Sequence, residues 1–154
     1  MSFEIITADA SHLDELVPLF DAYRGFYGQP CEPDRCRHFL AERLEKRESV
    51  IYLAVDGETH RPLGFVQLYP LFSSVSVQRL WIVNDLFVQP GARQRGVAAG
   101  LLERCRTLAR ETGAKGLQLE TGTDNLAAQR LYERTGFTRI DATFYFLETG
   151  DLRH

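Results

Sequence analysis

Residues 88–100 are the part of the sequence whose residue types most directly suggest a binding site. A β-rich segment ends at Val88, a turn follows, and small residues then stand at Gly96, Ala98 and Ala99. The first turn of a helix leaves N–H groups unpaired and carries a partial positive charge, and small side chains let a phosphate approach them. The segment has neither the G-K-[ST] of a P-loop nor the G-x-G-x-x-G of a dinucleotide site. It therefore predicts either a phosphate site at the start of a helix or a tight turn into an alanine-rich helix.

A second motif, of the form Asn-x-x-Ala-x-x-Leu-Tyr-x-x-x-Gly-Phe, follows closer to the C-terminal end. Its fixed positions are Asn125, Ala128, Leu131, Tyr132, Gly136 and Phe137. Together with the earlier Arg93-x-x-Gly96-x-Ala98, this motif resembles the signatures of the GNAT superfamily of acetyl-CoA-dependent N-acetyltransferases. The two motifs have the order and spacing of that family, and the order of predicted elements along the chain also fits.

The resemblance implies acetyl-CoA as co-substrate and assigns most coenzyme contacts to the backbone. N–H groups of residues 94–99 would hold the pyrophosphate, and residues 86–88 would pair with the pantetheine arm and polarise the thioester carbonyl. Asn125 would bind the pantetheine or cap the last helix. The coenzyme-binding residues implied in this way are Leu86, Phe87, Val88, Arg93, Gln94, Arg95, Gly96, Val97, Ala98, Ala99 and Asn125.

Tyr132 is the residue that the resemblance implies as the acid protonating the departing thiolate. A phenol with a pKa near 10 is a weaker acid than a thiol with a pKa near 8.5, so full proton transfer would be uphill by about 2 kcal/mol. A hydrogen bond that becomes a proton transfer late in the reaction is therefore expected.

Two carboxylates, Asp85 and Glu120, are candidates for the general base. Asp85 comes just before the strand residues expected to pair with the coenzyme, and Glu120 lies near the end of the next predicted strand. Strand alternation places Asp85 and Phe87 on the face opposite to Leu86. Asp85 is therefore expected either to face the acceptor or to form an ordinary ion pair.

Aromatic side chains suggest where an acceptor would bind. The set able to pack an alkyl amine is Tyr23, Tyr27, Tyr69 and Phe72, contributed by the first two helices and the loop after Tyr69, with residues 73–76 as a polar loop at the mouth. Residues 69–88 are also similar to the polyamine-acetylating branch of the family, but Asn84 stands where that branch has glutamate. We expect a small primary amine, such as a diamine or an amino acid, as acceptor. The alternatives are acetylation of a protein lysine or N-terminus, and a GNAT-like module that senses CoA without turning it over.

The elements that must position these residues follow from hydrophobic periodicity and turn residues. We predict strands at 3–7, 50–55, 62–69, 78–88 and 117–121, helices from Ser11 and over 34–46, 97–112 and 125–135, and one or two closing strands within 137–147. An antiparallel meander followed by a βαβ unit predicts an α/β fold with a mixed, mostly antiparallel sheet flanked by helices. We expect one domain over residues 1–154, with Cys105 on the buried side of its helix.

Composition and charge limit the remaining function classes. The chain has 154 residues and a formal net charge of −3, which argues against a general nucleic-acid binder. No apolar run reaches the roughly 20 residues of a membrane span, and residues 1–4 do not begin a signal peptide, so a cytoplasmic protein without membrane partners is expected. The four histidines lack metal-ligand spacing, so no metal site is predicted. A homodimer is expected because dimers are common in the resembled family.

Overall fold

The computed structural model describes residues 2–150, which form a five-stranded sheet with helices on both faces. The strands are β1 (Phe3–Thr7), β2 (Val50–Asp56), β3 (Pro62–Ser73), β4 (Gln78–Val88) and β5 (Leu117–Gln118). The helices are α1 (Leu13–Phe26), α2 (Pro33–Glu45), α3 (Val97–Glu111) and α4 (Leu126–Arg134), with short 3-10 turns at Ala10–His12 and Pro90–Ala92.

The sheet has the order β1-β2-β3-β4-β5. The pairs β1–β2, β2–β3 and β3–β4 are antiparallel, whereas β5 runs parallel to β4. Residues alternate between two cores: Leu53 and Phe65 pack on the α1 and α2 side, whereas Tyr52 and Val66 pack on the α3 side. The predicted mixed, mostly antiparallel sheet flanked by helices is confirmed.

Strand β4 contains a β-bulge at Asn84. Gln67 of β3 lies opposite Asp85, but the next residue, Leu68, lies opposite Val83, so Asn84 has no partner of its own. A bulge bends its strand and increases the local twist. The parallel pairing of β4 with β5 ends at Ile82, two residues before the bulge. The second half of β4 therefore keeps a free edge towards the chain that follows β5.

The predicted closing strands within 137–147 are wrong, because no strand occurs there, and the strand predicted over 117–121 is only two residues long. The β-propensity of a residue reflects how well its side chain fits a packed, pleated surface. Residues 144–147 are instead exposed. An apolar segment that has no neighbouring strand to pair with does not form the ladder of backbone hydrogen bonds that defines a strand.

The starts of the first two helices also differ from the prediction. Ser11 does not cap α1; it lies in a 3-10 turn, where its backbone N–H donates to Asp9 Oδ1 at 2.9 Å, and α1 begins after that turn. Helix α2 begins one residue early, at Pro33, because the fixed φ of proline suits the first helical position. None of the helices between residues 2 and 150 combines the length and apolar character of a membrane crossing.

Candidate active site

A cavity of about 450 Å³ opens where β4 and the chain after β5 diverge. Its walls come from the end of α1, the second half of β4, the start of α3, residues 120–121 and one side of α4. These elements are brought together by the bulge and by the short pairing of β5. The cavity contains residues from both motifs found in the sequence.

The start of α3 presents a row of unpaired backbone donors. The N–H groups of residues 94–99 have no hydrogen-bond acceptor among residues 2–150, whereas Gly100 N–H already donates to the Gly96 carbonyl at 2.9 Å. Gly96 has φ of +80°, a conformation that glycine adopts without strain, and Gln94 also has positive φ, at +66°. The helix dipole adds partial positive charge at the same place. This arrangement can bind a phosphate or diphosphate group.

The two arginines of this loop have different surroundings. Arg93 lines the cavity, and its Nε donates to the Val88 carbonyl at 2.9 Å. The Arg95 side chain turns away from the cavity and forms an ion pair with Asp56, with Nη2 3.2 Å from Oδ2. The Arg95 side chain therefore holds the loop to the end of β2, and a contact from this residue to a coenzyme would come from its backbone.

Leu86, Phe87 and Val88 all line the cavity. One edge of this strand segment pairs with β3, where Phe87 lies opposite Phe65, and the other edge lies beyond the end of the β5 pairing. An extended polar arm can therefore bind along the free edge as an additional strand would.

Helix α4 places Asn125 and Tyr132 in the cavity. Asn125 caps the helix, because its Oδ1 accepts from Ala128 N–H at 3.2 Å. The Tyr132 ring packs against Phe137, with 5.8 Å between ring centroids. Burial raises the pKa of Tyr132, so its hydroxyl is a proton donor at neutral pH.

The two candidate bases occupy different positions. Glu120 is exposed and lines the cavity. Asp85 is 4% exposed and lies behind the cavity wall, where Asn84 Nδ2 donates to its Oδ1 at 2.9 Å and Gln67 Nε2 donates to its Oδ2. Burial raises the pKa of Asp85. The ordinary ion pair considered for Asp85 is not formed with any residue that the structure describes.

Only part of the predicted aromatic set lies at the cavity. Tyr23 and Tyr27 line it, together with Phe26, which the sequence interpretation missed although it falls in the same last turn of α1. Tyr69 and Phe72 do not line it, nor do residues 73–76, because β3 continues to Ser73 and carries them along the hairpin with β4. Gln67 was also missed; a buried glutamine in an apolar strand would have been its signal.

Comparison with known proteins identifies the family. The sequence matches the acetyltransferase (GNAT) family over residues 13–137. The chain belongs to this family. It is 45% identical over 131 residues to an uncharacterized N-acetyltransferase of Bacillus subtilis, YhfO, covering 85% of each chain. A crystal structure of a probable acetyltransferase, 46% identical, superposes with a TM-score of 0.91 and covers 96% of this chain and 99% of that chain.

This GNAT enzyme is an acetyl-CoA-dependent N-acetyltransferase, and acetyl-CoA is its co-substrate. A more distant structure, of an aminoglycoside N-acetyltransferase in complex with CoA, has a TM-score of 0.81 at 19% identity, covers 97% of this chain and 96% of that chain, and shares the fold. The family predicted from the two sequence motifs is confirmed.

Proposed function

We propose that this GNAT enzyme transfers the acetyl group of acetyl-CoA to a small primary amine by direct attack of the amine on the thioester. The observation that carries the proposal is one cavity with three features: unpaired N–H groups at the start of α3, the Tyr132 phenol, and a lining that includes aromatic rings and the Glu120 carboxylate. The N–H groups would bind the phosphates of the donor, and the Tyr132 phenol would donate to the leaving thiolate. The aromatic rings and the carboxylate would bind a cationic acceptor.

A direct reaction is favoured over an acetyl-enzyme intermediate because of the position of Cys105. Its side chain is 0% exposed, and burial raises the pKa of its thiol to about 12. The thiolate is the reactive form of cysteine, and it is scarce at neutral pH when the pKa is that high. Cys105 also does not line the cavity.

In the proposed complex the backbone N–H groups of residues 94–99 bind the coenzyme pyrophosphate, and residues 86–88 pair with the pantetheine arm. The thioester then lies between β4 and α4, so that the Tyr132 hydroxyl can donate to the departing sulfur. Asn125, already used as a helix cap, also lines the cavity.

The acceptor end favours an amine that arrives as a cation. Tyr23, Phe26 and Tyr27 supply aromatic faces, which attract ammonium groups, and Glu120 supplies a negative charge. A primary amine with a pKa near 10.4 is only about 0.04% neutral at pH 7, so a base must remove a proton before or during attack. We propose Glu120 or Asp85 for that role.

A homodimer and a cytoplasmic location complete the proposal. Exposed apolar side chains at Phe144, Tyr145, Phe146 and Leu147 support the homodimer, because contiguous exposed apolar surface marks association sites. The cytoplasmic location stays a prediction from the sequence.

The proposal is tested by incubating the purified enzyme with acetyl-CoA and a panel of acceptors while free CoA thiol is measured. The panel contains diamines, amino acids, a lysine-bearing peptide and a peptide with a free N-terminus. We expect amine-dependent thiol release that is highest with a small primary amine. Highest release with either peptide would favour a protein acceptor, and release without any added amine would indicate hydrolysis instead of transfer.

A further inference from the structure

Asn84 is a polar residue of the cavity wall that has no role in the reaction proposed above. It lies at the β-bulge, where it has no partner on β3, and bulges near active sites re-aim a side chain. Asn84 is exposed and lines the cavity together with Tyr23 and Leu86. The pairing of β4 with β5 ends at Ile82 and does not reach it. Asn84 is therefore open to a molecule bound in the cavity.

Asp85 fixes how the Asn84 side chain is turned. Asn84 Nδ2 donates to Asp85 Oδ1 at 2.9 Å, and Gln67 Nε2 donates to the other oxygen, Oδ2. Asp85 is 4% exposed and Gln67 is 0% exposed, so packing holds both. A carboxylate only accepts hydrogen bonds, so the nitrogen of the Asn84 amide must face it. Among residues 2–150 the Asn84 side chain forms hydrogen bonds through Nδ2 alone, which leaves Oδ1 for a donor in the cavity.

The backbone of Asn84 is held from the opposite element. The Tyr23 hydroxyl, on α1, donates to the Asn84 carbonyl oxygen at 3.3 Å. The Tyr23 ring is itself packed, with its centroid 5.8 Å from that of Phe65 and 6.4 Å from that of Phe87. An acceptor atom fixed through both its backbone and its side chain loses little freedom when it binds a donor. Asn84 Oδ1 is in this sense preorganised.

The proposed path of the coenzyme directs its acetyl group towards Asn84. The phosphates bind at residues 94–99, which follow β4, and the pantetheine arm runs back along residues 86–88. Asn84 lies two residues further in the same direction, about 7 Å along an extended strand. The amine approaches the thioester through the part of the cavity that the coenzyme leaves free, and there it meets Asn84 and Tyr23.

We propose that Asn84 Oδ1 accepts a hydrogen bond from the attacking amine and makes the enzyme selective for primary amines, with Asp85 as the positioning residue that turns this oxygen to the cavity. This proposal rests on the proposed function. A neutral primary amine has two N–H groups. One proton passes to the general base as the C–N bond forms and the C–S bond breaks, and the sulfur takes its proton from Tyr132. The other N–H stays in the amide product and donates to Asn84 throughout the reaction.

A secondary amine cannot use Asn84 in the same way. Its neutral form has one N–H group, and that proton must pass to the base, so no N–H is left for Asn84 Oδ1. An uncharged oxygen also suits the step better than a carboxylate at this position. A carboxylate would stabilise the ammonium form, which has no lone pair for attack, and would place a second negative charge beside Asp85.

The test compares kcat/KM for a primary amine, the best of the panel, with that for its N-methyl derivative. In the wild type we expect the primary amine to be favoured by about 10-fold, a usual effect of one hydrogen bond. Asn84→Leu and Asn84→Ala should each lower kcat/KM for the primary amine by about 10-fold and leave that for the N-methyl amine within about twofold. The preference then disappears, while the Kd for acetyl-CoA stays within about twofold.

Gln78→Leu is the matched control, because Gln78 is an exposed carboxamide on the same strand and outside the cavity. It should keep the preference of the wild type. Asp85→Asn tests the positioning role. An amide at this position offers a donor as well as an acceptor, so Asn84 is no longer turned one way, and the preference should fall to about threefold. An unchanged preference in Asp85→Asn would contradict that role.

A preference kept in both Asn84 variants, or lost equally in Gln78→Leu, would overturn the proposal. A preference lost in Asn84→Ala but kept in Asn84→Leu would overturn it too, because steric exclusion of the N-methyl group would then be the cause. Circular dichroism establishes that the variants fold, and Asn84→Val replaces Asn84→Leu if the latter does not. Absence of amine-dependent turnover in the wild type would refute the proposed function as well, whereas equal turnover of both amines by the wild type would refute only the role of Asn84.

Discussion

At the residue scale, burial raises the pKa of both Tyr132 and Asp85, with opposite consequences for the reaction. For Tyr132 the shift keeps the phenol protonated at neutral pH, so that it can donate to a sulfur on which negative charge develops. For Asp85 the shift brings a carboxylate closer to the pH range in which it can take up a proton. Two groups whose pKa values are shifted in the same direction can therefore serve as the proposed acid and as one of the two candidate bases.

Tyr132→Phe is expected to lower kcat by about 100-fold with a change of less than about twofold in the Kd for acetyl-CoA. The substitution removes the hydroxyl that we propose donates to the leaving sulfur, and it keeps the ring that packs against Phe137. Thiol release under saturating substrates measures kcat, and isothermal titration calorimetry measures the Kd.

Tyr145→Phe is the matched control for Tyr132→Phe, because Tyr145 is 94% exposed and outside the cavity. It should keep kcat within about twofold of the wild type, as surface changes away from a site usually do. Unchanged kcat in Tyr132→Phe would remove that phenol from the mechanism, and an equal loss in the control would show that the effect is not local.

Single residues differ in how far the sequence could predict their roles. Tyr132 and Asn125 belong to a motif with fixed spacing, so their place in the same cavity as the start of α3 was predictable. The hydrogen bond between Gln67 and Asp85 was not, because it joins neighbouring strands through a register that a bulge shifts. The hydrogen bond from the Tyr23 hydroxyl to the Asn84 carbonyl depends in addition on how α1 packs across the sheet.

At the element scale, α3 is the helix that determines where the donor binds in the proposed complex. Its first turn, with the loop before it, presents six N–H groups in sequence to the cavity side of the molecule. The helix dipole makes this end favourable for anions, including a carboxylate placed there by substitution. A carboxylate at this position would therefore suit the fold and compete with the coenzyme phosphates.

Ala98→Glu is expected to weaken acetyl-CoA binding by about 100-fold or more, since like charges brought together in a binding site cost several kcal/mol. Ala98 lines the cavity in the first turn of α3, and a helical residue avoids the strain that any side chain would meet at Gly96, where φ is +80°. Calorimetry gives the Kd, and thermal melting should show a stability equal to or above that of the wild type.

Ala98→Gln separates charge from size in this experiment, because glutamine has nearly the volume of glutamate. It should weaken binding much less than Ala98→Glu. Equal losses would mean that size alone blocks the site. Normal binding by both variants would place the coenzyme phosphates elsewhere and remove the central assignment for α3.

Elements with strong periodicity were predictable, and those that depend on a neighbour were not. Helix α3 carries an apolar stripe that includes Leu101 and Cys105, both 0% exposed, so its position followed from spacing alone. Residues 137–147 have an equally apolar composition, but a strand needs a partner with free N–H and C=O groups. The sequence does not record whether such a partner is within reach.

At the scale of the whole molecule, the same unpaired C-terminal segment defines a surface. Phe144, Tyr145, Phe146 and Leu147 are between 70% and 94% exposed and consecutive in sequence. The fold class was predictable because it depends on the order of elements, which the sequence records. The surface was not predictable, because these residues were expected to form closing strands of the sheet.

The homodimer proposed for this surface predicts that the protein elutes in size-exclusion chromatography with light scattering at about twice the 17.6 kDa of one chain. The double variant Tyr145→Asp/Leu147→Asp should shift the mass to that of one chain, because burying two new carboxylates at a contact destabilises it. Val75→Asp is the matched control, since Val75 is 98% exposed at the turn between β3 and β4, and it should leave the mass unchanged.

A wild-type mass of one chain at every concentration tested would contradict the homodimer. A dimer that persists in the double variant would place the contact on another face. The double variant should remain soluble in either case, because the substitutions add charge where apolar side chains were exposed.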